Sequence, residues 1–159
     1  MTDSSPLCRT WAQLSLDEFF EIARLRTEIF YLEQRIDDIE LDDFDRAAST
    51  EHWYITDESG TAAYLRVLVH DTPQAGDRDA RHIIGRVATR ADRRREGLSR
   101  RLLDAVIQRH GTEPMALHAQ VAVRQVYAAV GFEPYGDEYD EAGIRHIGMY
   151  RAAQPAAVR

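Results

Sequence analysis

Apolar residues recur at helical spacing in three stretches of the chain, so that in each they would lie on one face of a helix. Before the first stretch, Ser15 stands where an N-cap is expected, and Asp17 and Glu18 follow in the first turn. Gly111 and Gly131 follow the other two stretches, where a helix C-cap favours glycine. The predicted helices are Leu16–Leu32, Leu98–His110 and Val121–Val130.

Short runs rich in β-branched and aromatic residues predict strands between and after these helices. Turn sequences at 57–60 and 141–143 separate two pairs of runs, which we expect to form antiparallel hairpins. Residues 35–49 are polar, acidic and weakly periodic, which predicts a loop with one short helical turn. The predicted strands are His52–Thr56, Ala62–His70, Arg81–Thr89, Met115–Ala119, Phe132–Tyr139 and Ile144–Arg151.

The predicted elements follow the order helix, three strands, helix, strand, helix, two strands. This order indicates one α/β domain with a mixed sheet and helices on both faces. A chain of 159 residues can bury a single core of sufficient size. We expect the domain to occupy residues 1–152 and residues 153–159 to form a frayed tail.

Composition excludes several classes of function. The net charge of −7 argues against a nucleic-acid partner, because the chain as a whole repels polyanions. No apolar run reaches a membrane-spanning length and the first nine residues lack a signal-peptide pattern, so we expect no membrane partner and a cytoplasmic location. The single cysteine, Cys8, permits neither a disulfide framework nor a thiolate metal cluster, and nothing near it in the sequence would activate it as a nucleophile. No metal site is expected.

Charge is distributed unevenly along the chain. Acidic residues crowd the segment 33–45 and arginines crowd the segment 86–101. Such a split indicates either two ligand-binding ends of opposite sign or two solvated faces.

An arginine-rich turn precedes the second predicted helix. Arg100 and Arg101 fall in the first turn of that helix, where positive charge is unfavourable because the helix dipole is positive there. A bound anion would compensate, and Gly97 and Ser99 are small enough to let a phosphate approach the free N–H groups of the turn. The segment therefore predicts a pyrophosphate site, with an ordinary solvated N-cap as the alternative.

At these residues the chain resembles the GCN5-related N-acetyltransferase (GNAT) superfamily. The family pattern of Gln or Arg, two residues, Gly, one residue, then Gly or Ala falls on Arg94, Gly97 and Ser99. A second family motif matches Tyr127 and the Gly-Phe pair at 131–132. The resemblance implies a twisted, mostly antiparallel sheet that is splayed at the cofactor strands, and acetyl-CoA as cosubstrate. The cofactor-binding residues it implies are Val87, Ala88, Thr89, Arg94, Arg95, Gly97, Leu98, Ser99, Arg100, Gln120 and Tyr127.

Within the superfamily the chain is most similar to the ElaA-like branch, over about Trp11–Arg151. The segments that carry this similarity are Leu25–Phe30, Glu33-Gln34, Asp42-Asp43, Ile84–Val87, Ala119-Gln120 and Glu141–Met149. The implied reaction moves an acetyl group to a primary amine of a small molecule or peptide by direct attack in a ternary complex.

Acetyl transfer requires an oxyanion donor, a proton for the departing thiolate and a base for the amine. A backbone N–H between Val87 and Thr89 would meet the oxyanion, and Tyr127, protonated at neutral pH, would act as general acid. Candidate bases are Glu33, His118 and His146. The acidic segment 33–45 indicates a cationic acceptor, or else only a solvated loop.

Three other interpretations remain open. The residues Arg26, Phe30, Asp43 and Asp45 are similar to a pattern in acyl-homoserine lactone synthases, which use acyl carrier protein and S-adenosylmethionine. A non-catalytic acyl-CoA sensor would have the same cofactor site without turnover, and DNA binding through the arginines would oppose the net charge. We also expect that an edge strand at the carboxyl terminus could pair across a homodimer.

Overall fold

The computed structural model describes residues 3–157, within which there are seven strands and three α-helices. The helices are α1 (Leu16–Arg26), which continues as a π-helix over Thr27–Glu33, α2 (Leu98–His110) and α3 (Arg124–Ala128). The strands are β1 (Leu7–Arg9), β2 (Glu51–Asp57), β3 (Gly60–Val69), β4 (His82–Thr89), β5 (Met115–Gln120), β6 (Glu133–Glu141) and β7 (Ile144–Arg151). Short 3-10 turns lie at Trp11–Gln13, Asp43–Arg46, Ala91–Arg93 and Val121–Val123.

The structure confirms the predicted helices and strands with three differences. Strand β1 was missed because three residues are too few to show a period. The first helix changes from α to π winding at Thr27, whose hydroxyl donates to the Ala23 carbonyl at 2.8 Å. The third helix has only five α-helical residues and begins with a 3-10 turn that contains two β-branched valines. The short turn predicted within 35–49 is Asp43–Arg46.

All seven strands form one sheet in the order β1-β2-β3-β4-β5-β7-β6. Only β4 and β5 pair in parallel, so the predicted mixed and mostly antiparallel sheet is confirmed. The prediction that the carboxyl-terminal strand is an edge is wrong, because β7 lies between β5 and β6. The edge strand β6 carries Pro134 and a register shift between Tyr135 and Tyr139, features that discourage pairing with another sheet.

Helices cover both faces of the sheet, as predicted. On one face α2 and α3 bury Leu102, Val106 and Tyr127 in the larger core, which also contains Leu117 and Ala119 of β5. On the other face α1 packs Ile22, Leu25 and Ile29 against Tyr54, Tyr64 and Ala88. Because side chains alternate along a strand, His118 and Gln120 of β5 point away from the face that holds Tyr127.

A buried ionic network binds the loop after the first helix to the sheet. The side chain of Arg26, which is fully buried, contacts Glu40 and Asp45 at 2.7 Å each. Arg66 on β3 contacts Asp42 at 2.7 Å and Asp45 at 2.9 Å. The sequence suggested that the acidic segment either binds a ligand or forms a solvated face. Both interpretations are wrong for these three carboxylates, because arginines of the same chain neutralise them.

The same network accounts for part of the pattern shared with acyl-homoserine lactone synthases. Arg26 and Asp45 are engaged with each other, Phe30 lies in the core under α1, and Asp43 is exposed. In this chain Arg26, Asp45 and Phe30 hold the fold together.

The carboxyl-terminal segment is attached to the domain. Residue 154 is tied to the domain by a backbone hydrogen bond of 2.8 Å from Gln154 to Gly111. The predicted tail is seen as far as residue 157, and residues 158 and 159, like residues 1 and 2 of the predicted domain, lie outside the described residues. Between residues 3 and 157 no helix combines the length and the apolar character needed to cross a bilayer.

Candidate functional site

The parallel strands β4 and β5 separate halfway along their length. They pair only through His82–Met115, Ile83–Ala116 and Ile84–Leu117. Beyond these pairs β4 stays paired with β3 as far as Thr89, and β5 stays paired with β7 as far as Gln120. The result is a V-shaped gap, here called the wedge, lined by residues 85–89 on one side and 118–120 on the other. Its backbone groups have no strand partner across the gap and are free to bind a ligand.

A β-bulge at Arg86 lies where the separation begins. Tyr64 pairs with Ala88 while Arg66 pairs with Gly85, so β4 has one more residue than β3 in this interval. Arg86 has a φ of 55°, a left-handed conformation that is uncommon for a residue other than glycine. Its guanidinium contacts Glu40 at 3.0 Å, which holds the bulge against the buried ionic network. The bulge bends β4 and re-aims its backbone groups.

The amino terminus of α2 lies at the mouth of the wedge. A hydrogen bond of 2.8 Å between the Thr89 and Ser99 hydroxyls joins the end of β4 to the first turn of the helix. Gly97 is the N-cap, with a φ of 77° that favours glycine, and no side chain caps the helix within residues 3–157. The first intrahelical bond runs from Arg101 N–H to the Gly97 carbonyl at 3.0 Å, which leaves the N–H groups of Leu98, Ser99 and Arg100 for a ligand. Leu98 itself is a core residue.

The two arginines in the first turn of α2 do not need a bound anion to compensate them, contrary to the prediction from the sequence. Arg100 is paired with Asp104 at 2.9 Å, and Arg101 is paired with Asp3 at 3.1 Å. Carboxylates of the chain therefore compensate these two charges, so the charges themselves do not require a bound anion. The free N–H groups of the turn, together with Arg94 and Arg95, remain the features that suit a diphosphate.

Arg94 is held by one of the candidate bases. Its Nη2 lies 2.7 and 2.8 Å from the two carboxylate oxygens of Glu33, with both side chains about four-tenths exposed. The next residue, Gln34, accepts a hydrogen bond of 2.8 Å from Gln120. The dipeptide Glu33-Gln34 thus bridges the wedge between the α2 turn and β5. The role of Gln34 was not found from the sequence, because it lies 86 residues from Gln120.

Tyr127 is enclosed in the core below the α2 face of the sheet. It is 7% exposed and contacts Phe132 edge to face at a centroid distance of 6.5 Å. Burial, with no contribution from a charged or hydrogen-bonded neighbour among residues 3–157, raises the pKa of Tyr127 to about 12. The hydroxyl therefore stays protonated at neutral pH.

The two candidate histidines lie together on the opposite face of the sheet. His118 Nε2 is 2.8 Å from Asp77 Oδ1, and His118 Nδ1 is 2.8 Å from the Tyr139 hydroxyl. His146 stacks on Tyr139 with ring centroids 5.8 Å apart, and its Nδ1 lies 2.8 Å from the Ile144 carbonyl. Glu33, the third candidate, lies elsewhere, at the end of the π-helix, where it is paired with Arg94. Asp77 and Tyr139 were missed, since their contacts with His118 span 41 and 21 residues.

Cys8 lies away from this site, in β1. Burial raises the pKa of its thiol to about 11, which keeps it protonated and unreactive. Across residues 3–157 there is no cluster of three or more His, Cys, Asp or Glu side chains arranged to hold a metal ion.

The wedge, its bulge and the uncapped helix define a class of protein. The family model described as "Acetyltransferase (GNAT) domain" matches residues 40–152, and the chain belongs to this family of acyltransferases. It is 36% identical over 147 residues to the UPF0039 protein of Mycobacterium tuberculosis, covering 91% of this chain and 92% of that one.

Two solved structures show the same architecture. An acyl-CoA N-acyltransferase from Pseudomonas aeruginosa superposes with a TM-score of 0.81 at 31% identity, covering 92% of this chain and 99% of that one. ElaA from Escherichia coli also gives a TM-score of 0.81, at 25% identity, covering 92% and 97% of the two chains. Proteins of this fold generally bind acyl-CoA.

Proposed function

We propose that this protein is an acetyl-CoA-dependent N-acetyltransferase that transfers the acetyl group to a primary amine of a small molecule or peptide, by direct attack in a ternary complex. The observation that carries the proposal is the wedge, which opens between two parallel strands and ends at an uncapped helix amino terminus. An extended ligand with amides at one end and a diphosphate at the other matches both features.

The wedge and the turn that begins α2 each have a role in this proposal. The backbone of Val87, Ala88 and Thr89 would pair with the amides of the pantetheine arm. The N–H groups of Leu98, Ser99 and Arg100 would bind the diphosphate, with Gly97 allowing close approach and with Arg94 and Arg95 supplying positive charge. Gln120 would border the arm on the β5 side.

The chain also offers the groups that the chemistry needs. Acetyl-CoA supplies a thioester whose acetyl carbon forms a bond to the amine nitrogen as its bond to sulfur breaks. A backbone N–H of residues 87–89 would donate to the developing oxyanion, and the Tyr127 hydroxyl would give the leaving sulfur its proton. The nitrogen, positively charged once it is bonded to the acetyl carbon, would lose one proton and Tyr127 would regain one through solvent, so that the products are the amide and the CoA thiol. Burial raises the pKa of Tyr127, so its hydroxyl keeps its proton at neutral pH, and a thiolate in similar surroundings is more basic than in water, as the raised pKa of Cys8 illustrates.

The proposal is tested by binding and turnover of the intact protein. We expect calorimetry to show heat with acetyl-CoA, and CoA release to depend on an added amine from a panel of alkylamines, amino acids, polyamines and peptides. No heat and no thermal shift at millimolar acetyl-CoA would overturn it. Acetyl-CoA binding with no turnover on any amine would favour the sensor, whereas a preference for acyl carrier protein would favour a lactone synthase.

The Glu33–Arg94 pair gives a further prediction. Because Glu33 occupies the guanidinium that would contact the diphosphate, Glu33→Gln should free Arg94 and tighten acetyl-CoA binding. Exposed pairs contribute about 0.2–1 kcal/mol, so the dissociation constant should fall by roughly 1.5- to 5-fold in calorimetry. Glu28→Gln, an exposed change on the same helix, is the control and should leave binding unaltered. Weaker binding by Glu33→Gln would mean that Glu33 positions Arg94 for the cofactor.

A further inference from the structure

We propose that Tyr139, His118 and Asp77 form a proton relay that removes the proton from the acceptor amine, on the sheet face opposite Tyr127. This inference rests on the proposed function and assigns its missing base. An alkylamine has a pKa near 10 and arrives as an ammonium ion, so it must lose a proton before it can attack.

The hydrogen bonds fix the direction of the relay. A carboxylate can only accept, so His118 carries its proton on Nε2 and donates it to Asp77 at 2.8 Å. Nδ1 of the neutral ring is then an acceptor, and it receives the Tyr139 O–H at 2.8 Å. The Tyr139 oxygen keeps its lone pairs for an amine N–H. The three groups are therefore aligned to accept a proton.

The sheet places this relay beside the wedge. His118 lies on the stretch of β5 that lines the wedge, two residues before Gln120 on the same face. In the strand register Gln120 is opposite His146, and His146 is opposite Tyr139. Tyr139 is 36% exposed and the His118 side chain is 35% exposed, so an acceptor can reach the hydroxyl and solvent can take the proton from the ring.

Asp77 is held in place by its own loop. The Tyr135 hydroxyl donates to the Gly76 carbonyl at 2.6 Å, and the Tyr150 hydroxyl donates to Asp79 at 2.6 Å. These bonds anchor the loop on both sides of Asp77, which is itself buried. Asp77 is accordingly a positioning residue that fixes the tautomer of His118 and stabilises its protonated ring.

Other titratable and charged groups lie around the relay. They are Arg78, Tyr135, Glu141 and His146. His146 donates through Nδ1 to the Ile144 carbonyl and directs Nε2 toward Glu141 at 3.7 Å. Neither of its nitrogens forms a hydrogen bond with Tyr139, against which its ring only stacks.

The proton transfer balances as follows. The ammonium N–H bond breaks as the proton bonds to the Tyr139 oxygen, while the Tyr139 proton passes to His118 Nδ1. The products are a neutral amine, a neutral tyrosine and an imidazolium that is paired with Asp77. After acetyl transfer the exposed imidazolium returns its proton to water.

The test is the pH dependence of kcat/KM for variants of the relay. With acetyl-CoA and the best of benzylamine, spermidine and glycylglycine, Tyr139→Phe and His118→Gln should each lose about 10²- to 10⁴-fold at pH 7. The loss should shrink as the pH approaches the amine pKa, because the amine then becomes neutral without help, and acetyl-CoA affinity should not change. Asp137→Asn, an exposed change on the same strand as Tyr139, is the control and should leave kcat/KM unchanged at every pH.

Two results would overturn the relay without overturning the proposed function. One is a loss of kcat/KM in the relay variants that is the same at every pH while the wild type is active. The other is an ¹⁵N NMR spectrum that shows the His118 proton on Nδ1. The NMR measurement needs no turnover. Absence of CoA release from the wild type with every amine would instead overturn the proposed function and, with it, the role of the relay.

Discussion

Replacing Tyr127 with phenylalanine is expected to lower kcat by about 10²- to 10⁴-fold with almost no change in acetyl-CoA affinity. The change removes one hydroxyl and keeps the ring, so the edge-to-face contact with Phe132 and the buried packing persist. What is lost is the proton that the leaving sulfur would take. Steady-state assays of CoA release and calorimetry on the same preparation measure the two quantities.

Tyr31→Phe is the matched control for this experiment, since Tyr31 is 55% exposed and lies outside the wedge. Its kcat should equal that of the wild type. Full activity of Tyr127→Phe would show that another group, or water, protonates the sulfur. A parallel loss of acetyl-CoA binding would show that Tyr127 shapes the site and is not the acid.

Replacing Asp45 with asparagine should lower the free energy of unfolding by about 3–5 kcal/mol. Asp45 is 3% exposed and accepts hydrogen bonds from the guanidinium groups of Arg26 and Arg66. Its neutralisation would leave Arg26, which is fully buried, with Glu40 as its remaining carboxylate partner. Urea unfolding followed by circular dichroism gives the difference, and Asp43→Asn, an exposed acidic change in the same 3-10 turn, should stay within about 0.5 kcal/mol of the wild type. A small effect of Asp45→Asn would mean that the network is already hydrated.

The same carboxylate predicts a loss of stability in acid. Burial alone would raise the pKa of Asp45, but the hydrogen bonds and charge of Arg26 outweigh burial and lower the pKa to about 2. The folded-state pKa lies below the unfolded value of about 3.9, so the contribution of roughly 2.6 kcal/mol is present above pH 4 and is lost as the pH falls toward 2. Urea titrations across this range should show that loss in the wild type and a smaller one in Asp45→Asn.

Local patterns in the sequence identify most of the fold. The period of apolar residues locates α1 and α2, and the turn at 57–60 locates the β2–β3 hairpin. Strand order was less accessible, because β7 pairs with β5 and β6 through contacts that no local period encodes. For this reason β7 was wrongly predicted to be an edge strand, and the predicted homodimer contact rested on that assignment.

The residues of the site, like those of the fold, could be predicted from the sequence only in part. Gly97 and Tyr127 belong to motifs that can be read along the chain, and the structure places them at a helix terminus and in a core beside the wedge. The partners of charged residues cannot be found like this, since Arg26 meets Asp45 across 19 residues and His118 meets Asp77 across 41. A charge run indicates where charges are but not which of them neutralise one another. For that reason the acidic segment appeared available to a ligand although arginines occupy much of it.

The π-helical segment Thr27–Glu33 makes chain length at this point as important as residue identity. A π turn contains an extra residue compared with an α turn. Deleting one residue would let the segment rewind as an ordinary α-helix with little rotation of the residues that follow, because π winding already absorbs that extra residue. Rewinding at the present length would instead rotate Glu33 and Gln34 by about 100° around the axis, the angle of one α-helical step. Both side chains would then face away from Arg94 and Gln120 even though neither had been replaced.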